Sequence, residues 1–205
     1  MSGYSIPATT PDRPWCSELL IKRSRFLAQC AHVPSLAEAR AFVERMRNAH
    51  PSATHHCWAC VAGAPGATAQ VGCSDDGEPH GTAGRPMLQV LLHSGIGGIC
   101  MVVTRWFGGV KLGTGGLVRA YQDSVRRNLD GLPLEERIAL ANLTFTLDYA
   151  CLEGLRRLLP DFSAKIVAES YHSQATLHIS LPEERRADFD GAVNGLIRAK
   201  GGNSV

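Results

Sequence analysis

Between Ile99 and Leu129 the chain passes from a solid apolar block, ICMVVTRW, through FGGVKLGTGG and into GLVRAYQDSVRRNL. The block is continuous rather than alternating, so it reads as a buried strand. Leu117, Tyr121, Val125 and Leu129 recur on one face of GLVRAYQDSVRRNL, so that stretch is an amphipathic helix. Five glycines between Arg105 and Tyr121 carry the chain from one to the other. A strand, a sharp turn and a helix in that order fit a mixed α and β fold rather than an all-helical or all-strand one.

The flanking segments agree. CSELLIKRSRFLAQCAHV reads as one or two strands bent at Lys22, Arg23 and Ser24. SLAE is a capping box at Ser35, and Leu36, Ala39, Val43 and Met46 continue as a helix that Pro51 must end. HHCWACVAG is a strand, SDDGEPHGTAG a loop, and RPMLQVLLHS a helix with Pro86 in its first turn. After Pro133 the order is β-α-β-β-α through IALANLTFTLDY, CLEGLRRLL, AKIVAES, ATLHISL and EERRADFDGAVNGLIRAK. That order predicts a small sheet covered on one face by two helices, a ferredoxin-like module whose closing strand is missing or displaced. The predicted organisation is α+β in two domains, 1–133 and 134–205.

Charge divides with the domains. Residues 1–133 hold 13 lysines and arginines against 9 acidic residues, a net +4, and 134–205 hold 8 against 10, a net −2. The excess in the first part mildly favours an anionic partner there. No stretch approaches the ~20 apolar residues of a membrane span, and MSGYSIPATTPDRPW lacks the basic start and apolar stretch of a signal peptide, so the chain reads as cytoplasmic, with no membrane partner. Seven scattered cysteines read as reduced thiols, mostly buried.

The glycine segment fails two specific phosphate-loop patterns. Gly108 and Gly113 have Walker spacing, but Thr114 and Gly115 stand where Lys and Ser or Thr are needed. Gly113 and Gly115 begin a dinucleotide pattern, but Val118 stands in the third glycine's place. What remains is general: glycines ahead of a helix expose backbone N–H groups where the helix carries positive partial charge. Arg85, Arg105, Trp106, Lys111, Gly113, Thr114, Gly115, Gly116 and Arg119 are the candidate residues for binding an anion or RNA. Trp106 and Phe107 add stacking surface. The alternative is architectural, with the glycines simply turning a strand into a helix.

Asp75, Asp76 and Glu78 could supply acid–base chemistry or hold Mg²⁺, with His56 on the neighbouring strand as a possible base. These four are the only catalytic candidates. DDGEP is equally good turn chemistry, and His56 beside Trp58 equally suits a hydrogen-bonded core. Cys57 and Cys60, near His55, His56 and Cys73, suggest zinc at first sight. Three residues apart on a strand, however, they point to opposite faces, so no metal and no cofactor is expected.

The stretches SDDGEPHGTAGRPML and VVTRWFGGVKLGTGGLVRAY, with HHCWA before them, resemble the signatures of the IMPACT/YigZ family across most of residues 16–130. Residues 138–200 resemble that family's smaller C-terminal domain. His80 and Cys60 depart from the family's pattern. The resemblance implies a ribosomal S5 domain 2-like fold followed by a domain like the last domain of elongation factor G. It also implies work at the translation machinery. Three functions stay open: a translation-associated protein that contacts RNA, the ribosome or a ribosome-associated protein through its N-terminal domain; a phosphate- or nucleotide-binding enzyme using the glycine-rich loop with Asp75 and Asp76; and a protein-interaction module with no anion site. The sequence holds no complete set of nucleophile, base and orienting group, so binding ranks above catalysis.

Overall fold

A computed structural model describes residues 3–66 and 68–199. The chain divides into two compact units, Tyr4–Arg137 and the part from Ile138 onward. This division lies four residues past the expected break at Pro133. The reason is a strand there, β7 (Leu134–Ile138), which pairs with β1 (Gly3–Pro7).

The first unit is built on a five-stranded antiparallel sheet. Its strands are β2 (Trp15–Ile21), β3 (Ser24–His32), β4 (His55–Val61), β5 (Val71–Ser74) and β6 (Ile99–Trp106), in the spatial order β2-β3-β6-β4-β5. β6 lies at the centre, with β3 and β4 pairing on its two sides, which is why ICMVVTRW needs no polar alternation.

Helices cover both faces of this sheet. On one face α1 (Leu36–Ala49) packs Ala39, Phe42, Val43 and Met46 against Cys60, Cys100 and Val102. Its predicted cap forms, the Glu38 N–H donating to Ser35 Oγ at 3.2 Å. On the other face α2 (Gly84–Leu92) and α3 (Thr114–Asp130) bury Met87, Leu91, Leu117, Tyr121 and Val125 against Phe26, Cys57, Met101 and Val103. Cys57 and Cys60 do fall on opposite faces, because strand side chains alternate. All seven cysteines are free thiols, of which Cys16 is exposed.

The second unit follows the expected β-α-β-β-α order: β8 (Leu140–Leu147), α4 (Tyr149–Leu158), β9 (Lys165–Tyr171), β10 (Ala175–Pro182) and α5 (Arg186–Ala199). The strands form an antiparallel sheet in the order β8-β10-β9. Ala175, Leu177, Ile179 and Leu181 of β10 face a core with Leu155 of α4 and Phe189, Val193 and Ile197 of α5. The intervening positions carry hydrogen-bonded polar pairs, Thr144 with His178 and Thr146 with Thr176. Among the described residues this sheet has no fourth strand. The fold is thus α+β in two parts.

Candidate functional site

The acidic loop is a tight turn. The Glu78 N–H donates to the Asp75 carbonyl at 3.0 Å, with left-handed φ of 42° at Asp76 and 84° at Gly77 between them. Positive φ at both central positions is the type I′ geometry for which Asp-Gly is well suited. Each of its carboxylates is engaged within the fold. Asp75 accepts from the backbone N–H groups of Gly81 at 2.7 Å, Ala83 at 3.0 Å and Gly84 at 2.8 Å, so it anchors the start of α2. Burial pushes its pKa upward, but these three donors outweigh that and leave it below the usual carboxylate value. Asp76 accepts from Arg47 at 2.8 Å and from the His56 N–H at 2.6 Å.

Glu78 goes furthest into the protein. Its side chain is 3% exposed, and Oε1 accepts from Arg105 Nη1 at 2.6 Å and from the Tyr121 hydroxyl at 2.8 Å. Cys57 Sγ lies 3.2 Å from that hydroxyl. Burial, then the nearby Cys57 and Glu78, raise the Tyr121 pKa far above its ordinary value, so the phenol is a fixed donor. His56 is buried too, and burial holds its pKa below the ordinary histidine value. It is therefore neutral at neutral pH, with Nδ1 3.9 Å from Asp76 Oδ2. Among the described residues no group of three or more His, Cys, Asp or Glu is arranged to hold a metal.

The glycine segment is organised differently. Arg105, expected to flank it as an available cation, is 5% exposed. Strand alternation turns it toward α3, into the pair with Glu78. Its neighbour Trp106 faces the other side of the sheet, where Arg25 stacks over its ring at 4.5 Å and His50 meets it edge-on. Trp106 is thus already engaged, whereas Phe107 is 48% exposed. The chain then passes Gly108, where a Cβ would stand 2.0 Å from the Arg23 backbone, and reaches α3.

The turn takes its positive φ at Gly113, at 74°; Gly115 lies inside α3. Thr114, Gly115 and Gly116 form the first helical turn, with no side chain capping it. Gly113, Thr114 and Lys111 line a pocket of about 350 Å³ together with Phe107, Leu112 and Arg105. Arg85 and Arg119 are exposed on α2 and α3, and neither lines this pocket. The structure therefore brings Arg105, Lys111, Gly113 and Thr114 together and leaves Arg85, Trp106 and Arg119 apart from them.

One pair of cations was not among the residues expected from the sequence. Lys22 and Arg23 form the two-residue turn between β2 and β3, with φ of 44° and 70°. Neither is a residue that favours this left-handed region, so the turn carries strain. Both side chains are exposed, and the Arg23 backbone abuts Gly108. Ser24, just after the turn, accepts from both the Gly108 N–H and Arg105 Nη2 at 3.3 Å. The hairpin is thereby fastened to the glycine segment. Two adjacent basic residues in a hairpin were visible in the sequence, but the contact that places them at the site was not.

Comparison with known proteins fits this division. Residues 22–129 match the Impact N-terminal domain, and residues 145–200 match a domain of unknown function, DUF1949. The chain is 46% identical over 198 residues to the IMPACT family member YigZ of Escherichia coli strain K12, covering 97% of this chain and 95% of that protein. It is 43% identical to an IMPACT family member of Haemophilus influenzae, covering 88% of this chain and 85% of that one. A solved structure described as a hypothetical protein is similar at a TM-score of 0.72 and 42% identity, covering 97% of this chain and 94% of the other. With matching domains in the same order and relatives similar along almost their whole length, this chain belongs to the IMPACT family.

Proposed function

We propose that the protein is a translation-associated binding protein and that its first unit contacts RNA, on the ribosome or free. The observation that carries this reading is the uncapped first turn of α3 with exposed Lys111 and Phe107 before it and the Lys22–Arg23 hairpin fastened at Gly108. Backbone N–H groups and a helix N-terminus suit phosphate, lysine and arginine add long-range attraction, and an exposed ring suits a base. Family membership supports a role in translation. The engagement of Asp75, Asp76 and Glu78 within the fold supports binding over catalysis, since each of these carboxylates already accepts hydrogen bonds from the surrounding protein.

The finer fold assignment belongs to this reading. The first unit is taken as ribosomal S5 domain 2-like, and the second as ferredoxin-like, akin to the last domain of elongation factor G. The β8-β10-β9 order and two covering helices support the latter. The test is sedimentation of the full chain with purified ribosomes, and filter binding to a single-stranded RNA, at low and high salt. The expected result is association that weakens steeply as salt rises, because bound phosphates release counterions. Absence of association at low salt with both would refute the reading.

A further inference from the structure

Cys60 of β4 and Cys100 of β6 are partners in the strand register, directly opposite each other on the face that α1 covers. The Ala62 N–H donates to the Gln70 carbonyl at 2.9 Å, so Ala62 and, two residues back, Cys60 turn their backbone groups toward β5. The Arg105 carbonyl accepts from the Thr54 N–H on the β4 side, so the odd-numbered residues of β6 turn theirs toward β4 and Cys100 turns its own toward β3. Cys60 and Cys100 are therefore a pair with no backbone hydrogen bonds between them, the kind in which Cα atoms stand about 4.5 Å apart and side chains meet most closely. That separation lies within the span that a disulfide bridges, about 4.4–6.8 Å. No other cysteine of this sheet faces a cysteine: Cys16 stands opposite Gln29, Cys30 opposite Trp15 and Met101, Cys57 opposite Val103 and Cys73 opposite Ala59.

We propose that Cys60 and Cys100 form a redox clamp, two thiols that a small peroxide converts into a cross-strand disulfide joining β4 to β6 without unfolding the sheet. Both are fully buried free thiols in the reduced protein. Burial pushes the Cys60 pKa up to about 11 and raises that of Cys100 well above the ordinary thiol value, so the closed sheet keeps them unreactive. Access comes through β5, a four-residue strand at the sheet edge. Opposite Cys60 it carries Gly72, where a Cβ would stand 3.5 Å from Cys60 Sγ, so only bare backbone of β5 lies against that sulfur. Short edge strands fray at low cost, and fraying of β5 uncovers Cys60 ahead of Cys100, which lies one strand deeper. The Cys60 thiolate then takes one oxygen from hydrogen peroxide, giving a sulfenic acid and one water. The Cys100 sulfur attacks the Cys60 sulfur, and the departing hydroxide leaves with the Cys100 proton as a second water. Two thiols and one peroxide thus give one disulfide and two waters, the sulfurs losing the two electrons that the peroxide oxygens gain. The bridge encloses residues 60–100, which hold β5, the acidic loop and α2, so it restricts the unfolded chain and stabilises the first unit.

The test is to treat the folded full chain with hydrogen peroxide, raised until the exposed Cys16 is oxidised, then to block the remaining thiols in denaturant and map the peptides by mass spectrometry. The peptides carrying Cys60 and Cys100 should appear joined, two hydrogens lighter than their sum. The thermal unfolding midpoint of the oxidised protein should rise by about 5 °C or more and return to its starting value on reduction with dithiothreitol. Cys60→Ala and Cys100→Ala should each abolish both the link and the rise, and the link in the wild-type chain is read without relying on either variant to fold. Peroxide that oxidises Cys16 yet leaves Cys60 and Cys100 unlinked, a link that forms only in denaturant, or a linked protein whose midpoint does not rise would each overturn the proposal. It goes beyond the RNA-binding reading and stands or falls without it.

Discussion

The acidic loop and the glycine segment look alike in the sequence: both are short, glycine-containing, polar and placed ahead of a helix. In the structure they meet opposite ends. The loop spends its carboxylates on the fold, with Asp75 on three backbone N–H groups, Asp76 on Arg47 and His56, and Glu78 on Arg105 and Tyr121. The glycine segment uses backbone freedom to get past Arg23 and into α3, and its first helical turn is left uncapped beside exposed cations. Hydrogen-bond satisfaction, rather than residue type, separates a motif that holds the protein together from one that can hold something else.

That contrast breaks most visibly at Glu78. Glu78→Ala leaves a buried guanidinium and a buried phenol without their shared acceptor, and should cost about 3–5 kcal/mol in denaturant unfolding. A loss below about 1 kcal/mol would mean that the loop is not structural. Asp75→Ala should cost less, about 2 kcal/mol, because it removes an anchor of one helix start. Its contribution has a defined sign with pH. The folded carboxyl sits below its ordinary value, so the stabilisation is complete above the unfolded pKa of about 3.9 and is lost as pH falls through the folded value. Wild-type and Asp75→Ala unfolding curves should therefore converge in acid and separate above it.

Smaller effects sharpen the other side. Gly113→Ala places a Cβ at φ 74° and ψ 166°, a conformation essentially reserved for glycine, and should cost about 1–3 kcal/mol. Gly115→Ala, in a helical position where a Cβ meets open space, should be neutral or stabilise by up to about 1 kcal/mol. Equal losses at both glycines would show that the turn is not centred on Gly113.

Much of the scaffold was legible because it follows from local periodicity. The Ser35 cap, the buried β6, the opposed faces of Cys57 and Cys60 and the β-α-β-β-α order each rest on spacing within about one element. The short strands β1, β5 and β7 were not, since four or five residues carry little pattern and their pairing is decided by a distant partner. The site was half legible for the same reason. Lys111 and Gly113 stand where the motif suggested, but Arg105 changes from free cation to buried partner through Glu78, 27 residues away. Tyr121 read as one more apolar face residue, and its hydroxyl contact to Glu78 spans 43 positions. Lys22 and Arg23 adopt positive φ without glycine or asparagine, so the turn that joins them to the site carried no chemical signal of its geometry.

The central claim is that the exposed cations around the glycine segment receive RNA phosphates without supporting the fold. The most direct test is single-stranded RNA affinity against salt for wild type and for a triple variant, Lys22→Gln, Arg23→Gln and Lys111→Gln. The slope of log affinity on log salt should fall by about 2, near 0.7 for each lost phosphate contact, while thermal stability stays within experimental error of wild type. An unchanged slope and affinity in a folded triple variant would contradict the account and place the RNA surface elsewhere.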